Sequence, residues 1–239
     1  MSAGTDAAAR RRVVEASAAL AAAGQQDMVW GHVAVRDPDG RGVWMKRSGI
    51  GFDEVGHDDV HLVDWSGALL EGVGKPHIES HIHLQIQRAR PDVAASVHSH
   101  PVVVNAFSSL GVPLLALSHE GALFADPQVP RFEHTGDLVA TPELGALLAV
   151  ELGDAPACLM LRHGLVAVGS TEAEAVMRAV LLTAACDVQL RAAAAGSPSG
   201  SDAEEIAAKR EHCWPASQID AGYAYLIRAS ARSTRQPRD

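Results

Sequence analysis

The chain predicts an α/β fold built on a mostly antiparallel sheet, and three observations carry that expectation. Short apolar runs separated by Asp-Pro-Asp-Gly and other Gly-rich turns fill residues 28 to 63, the pattern of consecutive strands. Apolar residues at helical spacing then alternate with further short runs from residue 76 to 194. Two of those runs, Ala157 to Leu161 and Leu165 to Val168, flank a short corner and read as a hairpin.

Taken in order, Asp6 to Ala23 is Ala-rich, with Val13, Val14 and Leu20 on one helical face and Gly24 as its stop. Met28 to Arg36, Val43 to Met45 and Val60 to Val63 are expected strands. Pro76 opens a helix in which Ile78, Ile82 and Ile86 recur every four residues, so Glu79 and His83 share a different face, and Pro91 ends it. Asp92 to Pro101 reads as a strand ending at its proline. Val102 to Leu110 is an expected helix closed by Gly111, Leu114 to Leu117 a strand, and Pro142 to Leu152 a helix. Thr171 with Glu174 forms a capping box for a long helix reaching about Ala194. Gly196 to Ser201 is a linker, Asp202 to Arg232 a helical tail carrying Trp214, Tyr223 and Tyr225, and Ser233 to Arg238 a frayed end.

The totals narrow the function classes. At 239 residues and 47% hydrophobic, the chain can bury a sizeable core, and aromatics at 4% leave small side chains to pack the helices. A net charge of -9 argues against nucleic acid or an anionic membrane as partner. Cys158, Cys186 and Cys213 show no Cys-x-x-Cys spacing, and no stretch has the length of a signal core or membrane span. A cytoplasmic protein is expected.

The chemistry concentrates at His98-Ser99-His100-Pro101. Alternate residues of a strand face one side, so His98 and His100 can offer two imidazoles to one ion. Glu79 and, at the Leu161-Arg-His-Gly164 corner, His163 extend the set to three nitrogens and a carboxylate. That set suits a divalent metal, zinc first and manganese or iron as alternatives, in a catalytic site with an open position. Glu79 has two possible duties, metal ligand or acid/base beside the metal. Other searches fail: Gly72-Val-Gly-Lys75 lacks the upstream Gly and has Pro76 in place of the Ser or Thr of a phosphate loop, His119-Glu120 lacks the second His of a zinc-protease helix, and no Gly-x-Ser-x-Gly elbow occurs.

Trp30-Gly-His-Val-Ala-Val-Arg36, Arg47-Ser-Gly-Ile50, Pro76-His-Ile-Glu79, Arg90-Pro-Asp-Val93, His98-Ser-His100 and Arg162-His-Gly164, in that order, resemble the class II aldolase and adducin family from about residue 10 to 195. The resemblance implies a three-layer α/β/α subunit, a homotetramer with the metal near a subunit boundary, a domain over 1–195, and a linker and tail over 196–239 that pack on the same domain or a neighbour. It carries the family's metal histidines onto His98, His100 and His163, and its acid/base carboxylate onto Glu79. Ser48 and Gly49 match the family's phosphate-binding loop, but His32 replaces an Asn, and His77 with Ile78 replaces a Ser-Ser pair. An unphosphorylated small substrate follows, with His32 and His77 available to a carboxylate and His119 and Tyr223 as further candidate contacts.

The implied activity is that of a metal-dependent carbon–carbon lyase. It would perform aldol cleavage or decarboxylation of a hydroxy-carbonyl compound or hydroxy acid through a metal-stabilised enediolate or enolate. An Fe(II) oxygenase on the same ligands and a noncatalytic assembly module are the alternatives.

Overall fold

The computed structural model describes residues 3–233. Helix α1 (Ala3–Ala22) is followed by Gly24, whose φ of 70° reverses the chain without a Cβ penalty. Strands β1 (His32–Arg36), β2 (Gly42–Lys46), β3 (Val60–Asp64) and β4 (Leu69–Glu71) form an antiparallel meander. Helix α2 (Ser80–Ala89) leads to β5 (Ala95–Ser99) and α3 (Val102–Ser108). Next come β6 (Arg131–Phe132), α4 (Pro142–Leu152), β7 (Ala157–Met160), β8 (Gly164–Gly169) and α5 (Glu172–Ala195). Two tail helices, α6 (Ala203–Cys213) and α7 (Ala216–Ser233), complete the described chain, and the expectation for residues 234–238 lies outside it.

The sheet runs β4-β3-β2-β1-β5-β8-β7-β6, antiparallel throughout except for β6 beside β7. Alternation along each strand splits the core in two. Val33, Val35, Val97, Leu165 and Ala167 pack with residues of α1, α3 and α5, while Val166 and Val168 pack with Ile82, Ile86 and Leu148 of α2 and α4. Helices therefore cover both faces, which is the three-layer α/β/α arrangement. His32 and His98 are paired across β1 and β5, and both project toward the α2 side. Helix α7 lies against α1 and α5 of its own chain, with Ile219 and Tyr223 in the larger core.

Four expectations need correction. Met28 to Gly31 is a turn, so β1 begins only at His32. Leu114 to Leu117 forms no strand, because side-chain amides take the backbone groups a ladder would use. Gln128 bonds both the N–H and C=O of Leu114, and Gln189 accepts from Leu115 N and donates to Pro113 O. Helix α2 starts at Ser80, leaving Glu79 at its N-cap with φ -96° and ψ 26°, so Glu79 and His83 do not share a helical face. The short strands β4 and β6 escape an apolar-run search because they span three and two residues.

Candidate metal centre and substrate cavity

Strand β5 delivers His98 from its penultimate position and His100 just beyond its end, where Pro101 cannot continue the ladder and caps α3 instead. His163 sits in the tight turn between β7 and β8, its N–H donating to Met160 O at 3.1 Å. The next residue must be glycine: a Cβ at Gly164 would stand 2.3 Å from Ser99 O. That close approach of β8 to β5 brings the third imidazole to the first two. Glu79 completes the group from the turn before α2, held by Val139 N–H donating to its Oε1 at 2.8 Å.

One ligand atom from each of Glu79, His98, His100 and His163 lies within 4.8 Å of all the others. Glu79 Oε2 is 3.6 Å from His98 Nε2, and Oε1 is 3.5 Å from His163 Nε2. His98 Nδ1 donates to Leu165 O at 2.8 Å, which in the neutral ring leaves the lone pair on Nε2. His100 Nε2 approaches that same atom at 2.9 Å. His100 Nδ1 lies 3.2 Å from Asp27 Oδ2, off the direction of a formed hydrogen bond. A cation shared by the two Nε2 atoms would put the His100 proton on Nδ1, facing the Asp27 carboxylate, the usual support for a metal-bound imidazole. Three imidazole nitrogens and one carboxylate thus fit a divalent cation.

The electrostatics agree with that donor set. Burial alone would push the Glu79 carboxyl up, but hydrogen bonding and attraction from His163 and His98 outweigh it and hold the group well below the carboxylate range. His100 is pushed down to about 2 by burial and then by His98 and His163, which keeps its ring unprotonated. Asp27 precedes β1 and has no local sequence signal, since its partner His100 is 73 residues away. Asp27→Asn is expected to weaken metal affinity about 10- to 100-fold, measured by competition with a chelator; unchanged affinity would remove Asp27 from this role.

A cavity of about 630 Å³ opens onto Glu79, His100 and His163. Ser48, Gly49 and His77 line it among the expected contacts, together with Asp27, Asn105 and Arg162, which were not anticipated as site residues. Trp30, Ile78 and Leu138 supply apolar wall. Lys46 is fully buried beneath and donates to Val29 O at 2.9 Å and Ile50 O at 2.7 Å, tying the two loops of one wall together. Burial and then Arg47 push its ammonium down to about 8.

His32 does not line the cavity. It is fully buried behind His77 and His98, with ring centroids 4.0 Å and 5.0 Å away, and its Nδ1 meets His83 Nε2 at 2.6 Å. His83 in turn meets Ser96 Oγ at 2.7 Å, and Gln87 donates to that hydroxyl at 2.9 Å. His77 is pushed down to about 4 by burial and then Lys46, so it faces the cavity without charge. His119 and Tyr223 lie elsewhere. His119 Nδ1 is 3.3 Å from Cys213 Sγ and its carbonyl accepts from Trp214, whereas Tyr223 is buried in the core between α7 and its neighbours.

The sequence profile described as Class II Aldolase and Adducin N-terminal domain matches residues 11–190. The chain is 33% identical over 216 residues to 3,4-dihydroxyphthalate decarboxylase of Terrabacter sp. (strain DBF63), covering 84% of this chain and 89% of that protein. It is 35% identical over 182 residues to Decarboxylase NovR of Streptomyces niveus, covering 75% of this chain and 67% of that one. L-fuculose 1-phosphate aldolase from Glaciozyma antarctica PI12 superposes with a TM-score of 0.83 at 29% identity, covering 95% of this chain and 90% of that chain. With its motifs, three-layer fold and clustered ligands in agreement with that match, the chain belongs to the class II aldolase and adducin family.

Proposed function

We propose that the protein is a metal-dependent carbon–carbon lyase that decarboxylates a small, unphosphorylated hydroxy acid. The observation that carries this reading is the convergence of His98, His100, His163 and Glu79 at the floor of a cavity with room for a guest. Similarity to two proteins named as decarboxylases, at 33% and 35% identity over two thirds or more of their length, supports decarboxylation over aldol cleavage. Ile78, which is 59% exposed in the cavity wall, offers no hydrogen bond to a phosphate.

A divalent cation held by the four groups, zinc in the first place with manganese or iron as alternatives, supplies Lewis acidity toward two substrate oxygens when bound. Glu79 is ionised and receives the proton of the substrate hydroxyl at a carboxylate oxygen. As the carbon–carboxylate bond breaks and CO₂ leaves, the same oxygen returns that proton to the carbon that held it. Trp30, Ile78 and Leu138 present an apolar wall to the reacting carbon. Val139 N–H keeps Glu79 aimed inward throughout.

In this reading residues 1–195 form the catalytic domain, 196–239 the linker and tail, and four copies assemble. The exposed apolar residues Met28, Trp30 and Ile78 beside the cavity support such an assembly. Three unpaired cysteines support a reducing, cytoplasmic setting, and no helix among the described residues is long and apolar enough to cross a membrane.

The test is metal-loaded protein given hydroxylated aromatic acids, 3,4-dihydroxyphthalate first, alongside L-fuculose 1-phosphate. Metal-dependent CO₂ release is expected. Cleavage of the sugar phosphate with no CO₂ from any acid would establish the aldolase alternative instead.

A further inference from the structure

Among the described residues, two that are not glycine hold a left-handed backbone: Met28 at φ 45° and Arg162 at φ 56°. Both border the cavity, Met28 between the lining residues Asp27 and Val29, and Arg162 as a lining residue itself. Left-handed conformations are unfavourable for side chains with a Cβ and persist where the surrounding structure imposes them, frequently at functional sites. Asparagine or glycine would occupy position 162 with less strain. The turn nevertheless holds an arginine there, its N–H donating to Ser108 Oγ at 3.2 Å.

The guanidinium itself has no acceptor among the described residues. By contrast, Arg41 is committed to Asp37, Asp6 and Glu71, Arg90 to Asp92, and Arg131 to two backbone carbonyls. Arg162 instead lies over Gly136, where an added Cβ would stand 3.5 Å from its Nε. It adjoins metal-ligand candidate His163 in sequence, and among the residues lining the cavity it is the one with a permanent positive charge. Lys46 is buried and bound to carbonyls, so it does not compete for an anion. A guanidinium presents a planar fork that matches a carboxylate through two parallel hydrogen bonds.

We propose that Arg162 is the specificity-determining residue of the cavity and binds a carboxylate of the substrate remote from the two oxygens taken at the metal centre. The substrate class is then an acid with a carboxylate separate from its two metal-binding oxygens, not a neutral hydroxy-carbonyl compound. This rests on the lyase reading only in assuming that two substrate oxygens are chelated.

Calorimetry on the metal-loaded full chain with catechol and 3,4-dihydroxybenzoate isolates the carboxylate, because the two ligands share both hydroxyls. The wild type is expected to bind the acid about ten-fold or more tightly than catechol, the size of one charge-assisted pairing. Arg162→Met and Arg162→Asn should abolish that ratio and leave catechol binding unchanged, and Arg162→Lys should retain part of it. Arg162→Asn should also raise the melting temperature by relieving the backbone, so a loss of discrimination in a more stable protein cannot come from misfolding. The assignment is overturned if the wild type shows no preference, if the ratio survives in both variants, or if dihydroxyacetone phosphate shows the greater dependence on Arg162. None of these readings requires turnover, so failure of the CO₂ assay is scored separately.

Discussion

Glu79→Gln lowers turnover by about 10²- to 10⁴-fold, the range attached to a positioned acid/base group, while the protein stays folded. Gln keeps the side-chain volume, and its carbonyl oxygen can still accept from Val139 N–H. What disappears is the negative charge 3.5 Å from His163 and 3.6 Å from His98, together with an oxygen able to carry a proton. Glu79 is 2% exposed, and in the metal-free protein its charge is held by these imidazoles and by Val139 N–H. That pairing outweighs the burial cost, so the metal-free variant should melt below wild type. With metal present the loss grows, because a donating amide nitrogen replaces a ligand oxygen and weakens affinity. Single-turnover assays at saturating metal separate the effects. Activity within a few-fold of wild type under those conditions would remove Glu79 from proton transfer.

His98→Ala removes the metal-dependent stabilisation of the fold. A ligand present at 100 times its Kd stabilises a folded protein by about 2.7 kcal/mol, which for a chain of this length is roughly 5 to 10 °C in melting temperature. The wild type should show such an upward shift when zinc or manganese is added to stripped protein, and His98→Ala should show none. His98 is the ligand to choose because it is fully buried, its Nδ1 is tied to Leu165 O, and its Nε2 is the atom closest to His100. Alanine also leaves a void between β5 and the α2 layer, so the metal-free variant should itself melt below wild type. The discriminating quantity is the difference between stripped and loaded protein. An undiminished metal shift in His98→Ala would show that the ion binds elsewhere.

The amphipathic helices, the β5 strand with its two histidines, the β7–β8 hairpin and the capped α5 were legible in the order of residues. Each depends on neighbours within a few positions: a 3.6-residue or two-residue period, a proline stop, a Thr-Glu capping pair. His98 and His100 were readable as a pair for the same reason, and Glu79 and His163 entered through residue type and family motif. Tertiary structure decided everything that depends on approach between distant segments. Gly164 lets β8 come close enough to β5 to bring His163 onto the other ligands, and the turn before α2 takes Glu79 off the helix and points it at them. The same packing set Asp27 behind His100, buried His32 out of reach of the cavity, left the Arg162 guanidinium at its edge without an acceptor among the described residues, and gave the Leu114–Leu117 backbone to two glutamines instead of a strand. Local periodicity is written in the chain because backbone geometry repeats over a few residues. The meeting of side chains tens of residues apart is set by which buried surfaces and backbone groups can be satisfied together, and no short window of sequence contains that information.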